Sequence, residues 1–283
     1  VWHWKDPLIQ PHQKKRLKRE KKRNYLAVYH PDEDRMVQLG NEDIPEVWTF
    51  MDGNTDIALG YTHKPYRRLI SWDDTYTDYY AIDMKSGKKT KLLTKKHSFA
   101  SLSPGGKYIL WYETTDSTWY VKKLLSGEKI SLTGELPYKF YYELNDIPQL
   151  PGSYGYAGWT KNDKSVLIYD KYDIWRFDPE GKKEPKRITG GFGRENEIRF
   201  RYRKLDPDAD YVEKQMVLSA FNYDSKQSGY FRTSPASSDT PEKLVMDDFR
   251  FYGLKKAHDA DKMIWRKSAF DLYAELYWSN KNL

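Results

Sequence analysis

The chain has 283 residues, only 39% of them apolar, yet it carries 24 Tyr, 11 Phe and 10 Trp. That mixture favours short half-buried strands over long buried helices, and the length is enough to bury a core without a metal or disulfide staple. The absence of cysteine excludes disulfides, thiol nucleophiles and Cys-ligated zinc, and no stretch approaches the roughly 18 consecutive apolar residues of a membrane span.

In chain order, Val1–Asp6 reads as strand with no secretory signal, so the expectation is a chain that starts inside a domain. Residues 12–24, HQKKRLKREKKRN, hold eight Lys/Arg and one Glu, which accounts for the whole net charge of +7. Pro11 near its start predicts a single helix. The rest of the chain is charge-balanced, which argues against a nucleic-acid partner. The plain reading of the segment is a helix facing water; the other is an anionic docking site.

From Tyr25 onward the sequence repeats. YLAVYHPDEDRMVQL, YYAIDMKSGKKTKLLT from Tyr79, WYVKKLLSGEKISLT from Trp119, DIWRFDPEGKKEPKRIT from Asp173 and GYFRTSPASSDTPEKLV from Gly229 each alternate apolar and polar residues. Each then turns through Gly, Pro, Asp or Ser and resumes, often ending in Leu-Thr or Ile-Thr. A second hairpin precedes most of them, at 48–61, 99–112, 158–169, 200–221 and 251–265. Leu26, Tyr80, Tyr120, Ile174, Tyr230 and Leu272 are the recurring positions, 40 to 56 residues apart. Four antiparallel strands per unit at that period predict an all-β fold, a β-propeller of four-stranded antiparallel blades. Four blades are complete (46–94, 97–134, 154–190 and 198–246). Two are partial (1–40, with the basic helix inserted in it, and 249–283). The expectation is one propeller domain or a fragment of one over residues 1–283.

Catalytic motifs are sparse. Pro151-Gly152-Ser153-Tyr154-Gly155 approaches a nucleophile elbow, but Pro replaces the first Gly and no helix is predicted after it. Gly87–Thr90 lacks phosphate-loop spacing, and Gly191-Phe192-Gly193 reads as an interblade turn. Asp206, Asp208 and Asp210 begin like a calcium loop, but Tyr211 and Val217 stand where Gly and Glu are needed. The six histidines are scattered. No catalytic residue, metal site or cofactor is expected. The segment 135–158, ELPYKFYYELNDIPQLPGSYGYAG, is an insertion between two blades. It either packs between them or lines a substrate opening, in which case Glu143, Asn145, Asp146 and Tyr154 are the gating candidates.

The text SLSPGGKYILWYETTDSTWYVKKLLSGE resembles the propeller repeats of the prolyl oligopeptidase and dipeptidyl peptidase clan, the S9 serine peptidases, and of TolB-like and WD40-like propellers. VWHWKDPLIQP, NYLAVYH, GWTKNDKSVLIYDKYDIWRFDPEGK and KSAFDLYAELYWSN are similar to the large Bacteroidetes-type members, with gaps, over the whole chain. The resemblance implies a non-catalytic domain that filters peptide substrates for, and scaffolds, an α/β-hydrolase domain of the same parent polypeptide. It further implies a periplasmic or secreted location. The Glu-Glu pair with which dipeptidyl peptidases hold the peptide amine has no counterpart here. Two alternatives stand beside it: a stand-alone TolB-like protein-binding propeller, and a carbohydrate-active propeller enzyme. Open blade edges lead to an expectation of self-association.

Overall fold

The computed structural model describes residues 3–280. The chain forms two compact units, Val1–Asp116 with Tyr120–Lys129, and Ser117–Trp119 with Ile130–Leu283.

The first unit opens with helix α1 (Gln10–Lys21), which has Pro11 in its first turn and no buried residue. His3–Asp6 is a turn closed by Asp6 N–H donating to His3 O at 2.9 Å, so the strand expected there is absent from the described part of that segment. Val1 and Trp2 lie outside the described residues. Arg23 explains how a helix with no apolar face is held. It bonds Glu20 at 2.7 Å and reaches Glu46 at 3.4 Å, and its guanidinium keeps the Glu20 carboxyl at about 2.

Strands β1 (Ala27–His30) and β2 (Arg35–Gln38) form a two-stranded sheet. β3 (Glu46–Trp48), β4 (Ile57–Thr62), β5 (Thr77–Asp83) and β6 (Lys89–Lys96) form the first complete blade, in sequence order. β7 (Ala100–Leu102), β8 (Tyr108–Glu113), β9 (Thr118–Lys123) and β10 (Lys129–Ser131) form the second.

In the second unit, β11 (Tyr156–Trp159), β12 (Val166–Tyr169), β13 (Ile174–Phe177) and β14 (Lys186–Arg187) make one blade. β15 (Ile198–Arg203), β16 (Met216–Asn222), β17 (Ser228–Thr233) and β18 (Glu242–Asp247) make the next. β19 (Arg250–Lys256), β20 (Lys262–Ser268) and β21 (Glu275–Asn280) form a three-stranded sheet. Among the described residues the protein is therefore an all-β propeller with four complete and two partial blades and one basic helix.

Local chemistry sets the hairpins. Between β5 and β6, Asp83 accepts from Ser86 N–H at 2.6 Å and Ser86 Oγ at 2.7 Å, and Gly87 supplies the positive φ of 72°. Between β13 and β14, Asp178 accepts from Glu180 and Lys182 N–H in the same way. The repeated Leu-Thr and Ile-Thr endings have a specific job. Thr133 Oγ1 accepts from Trp119 N–H at 2.9 Å, and Thr189 Oγ1 from Ile174 N–H at 3.2 Å. Each hydroxyl closes the start of a third strand, whose N–H would otherwise be buried without a partner.

Two sequence expectations need correction. The half-burial expected from the composition fails in β8 and β12: Tyr108–Tyr112 and Val166–Tyr169 are buried at every position. A second strand has neighbours on both sides in its own blade, and both of its faces are covered, so its apolar run is continuous. The recurring positions Tyr80, Tyr120, Ile174 and Tyr230 fall on third strands, but Leu272 does not. A tight Ala269–Leu272 turn, with reciprocal N–H to O bonds of 3.1 and 3.4 Å, delays β21 to Glu275.

Successive blades bury apolar faces against each other within each unit. Val37, Leu39, Ile44 and Ile82 join the first two sheets, and Leu59, Leu93, Leu102 and Trp111 the next pair. In the second unit Leu167, Ile174, Phe200, Leu218 and Phe231 do the same. Each fully buried side chain of this size contributes about 1.5–3 kcal/mol.

Candidate functional site

The segment between β10 and β11 holds no strand of its own beyond a bridge between Tyr141 and Ser153. Tyr142 N–H donates to Gly152 O at 2.8 Å and Tyr154 N–H to Phe140 O at 3.1 Å, which draws the two ends of the insertion together. Its base is anchored by Phe140, 1% exposed, whose ring meets Trp175 at 5.7 Å and Phe177 at 5.6 Å. The tip is the reverse: Leu144, Ile147 and Leu150 are each more than half exposed.

The four gating candidates separate. Tyr154 Oη accepts from Glu143 N–H at 3.0 Å, so these two are brought together. Burial pushes the Tyr154 phenol up to about 12, which keeps it protonated and neutral at physiological pH. Asn145 turns inward on the loop, donating to Ile147 O at 3.2 Å and Gln149 O at 2.8 Å. It shapes the tip. Asp146 is exposed to solvent.

The partners of Glu143 come from the following blade, and the sequence reading missed them. Glu143 Oε1 lies 3.7 Å from Nη2 of Arg194, and the same nitrogen lies 3.4 Å from Oδ2 of Asp170. Arg194 stands on the one-turn helix α2 (Phe192–Glu195), so in the Gly191-Phe192-Gly193 motif between blades Gly191 caps a helical turn that Phe192 and Gly193 begin. Gly193 is required there, since a Cβ would sit 2.7 Å from Asp173 Oδ1. Asp173 fixes that helix: its carboxylate accepts from Gly193 N–H, Arg194 N–H and Thr189 Oγ1. Burial nonetheless raises its pKa, with the Asp170 charge adding to the effect.

Asp170, with no exposed surface, accepts from Tyr172 N–H at 2.7 Å, Asp173 N–H at 2.6 Å and Trp175 Nε1 at 3.0 Å. Arg194 thus bridges a fully satisfied buried carboxylate and a partly satisfied one. Burial works against its charge, but Asp170 and Glu143 outweigh burial and its pKa is raised. Its guanidinium also lies over the rings of Tyr172 and Tyr138, at 5.2 and 5.7 Å. Arg194 Nε is buried without a hydrogen-bond partner, while Nη2 and Glu143 Oε1 are buried and held by the ion pairs alone. Burial of such atoms is costly. What the cluster offers is a charged pair and aromatic rings, set at the root of a loop with an apolar tip.

Ser153 lies on the isolated bridge, its Oγ accepting from Gly155 N–H at 3.3 Å, and strand β11 rather than a helix follows it. The geometry of a nucleophile elbow is not formed there. Among the described residues no group of three or more His, Asp and Glu converges as metal ligands would, and no helix is long and apolar enough to cross a membrane.

Comparison with solved structures finds propellers. The chain is similar to Porphyromonas gingivalis dipeptidyl peptidase 4, with TM-score 0.53 and 12% identity over 92% of this chain and 43% of that one. It is also similar to a Bacteroides ovatus protein assigned as a dipeptidyl aminopeptidase IV, with TM-score 0.52 and 10% identity over 90% and 44%. TolB from Acinetobacter baumannii aligns with TM-score 0.40 and 12% identity over 91% and 60%. The chain thus spans under half the length of the two peptidase chains it matches. No protein-family model and no curated protein matches the sequence.

Proposed function

We propose that this chain is the substrate-gating and scaffolding propeller of a serine peptidase of the prolyl oligopeptidase and dipeptidyl peptidase type. In this reading it adds no bond-breaking group. Its partner is an α/β-hydrolase domain of the same parent polypeptide, its ligands are the peptides that domain cleaves, and it works in the periplasm or outside the cell. The observation that carries the reading is the Glu143–Arg194 pair at the root of an exposed loop, its arginine side chain 32% exposed. The exposed part of the Arg194 side chain offers a donor to a peptide carbonyl. The likeness of fold to two peptidase chains more than twice as long as the matched region supports it.

The test begins with residues 1–283 alone. Chromogenic prolyl, aminoacyl and glycosyl substrates are expected to stay intact, and a fluorophosphonate probe to leave the chain unlabelled. The same probe is expected to label a Ser in the parent polypeptide beyond Leu283. Turnover or labelling of residues 1–283 that survives repurification overturns the reading.

A further inference from the structure

A cavity of the second unit lies away from the insertion, between the β15–β18 blade and the β19–β21 sheet, with a volume of about 850 Å³. Its walls follow from strand periodicity. On β15 the sequence Ile-Arg-Phe-Arg-Tyr-Arg alternates, so Ile198 and Phe200 enter the core shared with the preceding blade while Arg199 and Arg203 fall on the other face. That face borders the cavity, and Lys226 and Arg250 join it from the β16–β17 turn and from β19. Asp248 is the single carboxylate in the lining against these four cations. Among the described residues, none of the four has a carboxylate within 4 Å.

Four uncompensated cations around one space repel each other and hold counter-charge near it. Packing alone does not call for them: the neighbouring interblade space is closed by Leu167, Phe200, Leu218 and Phe231. The remaining walls are apolar and hydroxylic, with Phe221, Phe249 and Phe251 beside Ser219 and Ser268. Arg199 is steered by Tyr223, whose Oη accepts from its Nη1 at 3.4 Å, and by the Phe221 ring at 5.7 Å. Arg250 lies over Tyr252 at 4.8 Å. The seam is pinned on both sheets by Ser228, whose Oγ donates to Phe249 O at 2.7 Å and accepts from Phe251 N–H at 2.9 Å.

We infer that this cavity binds a short acidic peptide segment, carboxylates to Arg199, Arg203 and Arg250 and an apolar side chain against the phenylalanines. The size lies within the roughly 300–1,000 Å³ of small-ligand sites, and planar guanidinium groups suit carboxylates. The anionic preference comes from these residues alone; the peptide class rests on the peptidase reading above.

The test uses the 283-residue chain in calorimetric titration with Ac-Phe-Asp-Glu-NH2 and its neutral isostere Ac-Phe-Asn-Gln-NH2. The acidic peptide is expected to bind at least about tenfold more tightly, and its affinity to fall as salt is raised. The R199Q/R250Q variant, altered only at exposed positions, is expected to lose about tenfold with its thermal unfolding unchanged. Equal binding of the two peptides, or full retention by R199Q/R250Q, overturns the proposal. Inorganic phosphate competing as tightly as the peptide overturns it too, since the cavity is then a simple anion site. These readouts need no hydrolase, so failure of the peptidase reading leaves the preference for acid over amide standing.

Discussion

Arg194 Nη2 stands 3.4 Å from Oδ2 of Asp170, a carboxylate with no exposed surface, while the arginine side chain itself is 32% exposed. The two ends of this pair therefore differ in what their removal costs. Asp170→Ala strands the N–H groups of Tyr172 and Asp173 and the Trp175 indole, and is expected to cost about 3–5 kcal/mol. Arg194→Met leaves Asp170 with three hydrogen bonds and is expected to cost about 1–2 kcal/mol. Urea unfolding of the two variants separates them; equal losses would contradict this division of roles.

Tyr154→Phe removes the acceptor for Glu143 N–H but keeps the ring that meets Tyr142 at 6.1 Å. Global stability is expected to fall by about 1 kcal/mol. Amide exchange is expected to quicken at residues 142–152 and to stay unchanged in β12 and β13. Uniform quickening across the blade would place the bond in the global core instead.

Gly229, on β17, has no room for a side chain: a Cβ would fall 1.9 Å from Val245 O and 2.7 Å from Met246 Cα on β18. Gly229→Ala must push one backbone strand off another, and is expected to cost more than about 3 kcal/mol. Gly152→Ala, where a Cβ would meet nothing within 4 Å, serves as the control. Thermal melts of both variants decide it.

Asp78 is almost wholly buried and accepts from Tyr66 Oη at 2.6 Å, Lys95 N–H at 2.8 Å and Lys91 Nζ at 2.8 Å. Burial alone would raise its pKa, but the bonds from Lys91, Tyr66 and Lys95 hold it below the ordinary 3.8. A depressed folded pKa stabilises above the unfolded value, and that stability is lost as pH falls through the folded pKa. Unfolding free energy is expected to drop between about pH 5 and pH 3. Asp78→Asn, less stable at neutral pH, is expected to lose less over the same interval. Parallel curves for the two proteins would remove Asp78 as a source of the acid sensitivity.

Among the described residues β21 is hydrogen-bonded to β20 alone, and Leu276 and Trp278 on it are 64% and 65% exposed. An open apolar edge invites another strand. Light scattering at rising concentration is expected to show self-association that Trp278→Lys weakens. A monomer at every concentration would count against it.

The hairpins were legible in the sequence because their causes are local. Asp83 with Gly87, and Asp178 with Gly181, build turns from residues a few positions apart, and the Leu-Thr and Ile-Thr endings already marked where the second runs of the hairpins stop. Pro11 and the charge run likewise announced α1. Glu143 and Tyr154 stood out as part of an unusual insertion. Their partner Arg194 did not, because nothing in Gly-Phe-Gly-Arg-Glu shows which loop it will meet.

What the sequence by itself determined is a repeated four-stranded unit, a basic helix and an inserted aromatic loop, since period-two patterning and turn chemistry act over short stretches of chain. Tertiary structure alone decided that Arg194 meets Asp170 and Glu143, and that Arg199, Arg203, Lys226 and Arg250 border one cavity. Those arrangements depend on how one blade packs on the next. The burial that fixes them is non-directional, and leaves no local pattern from which a partner can be read.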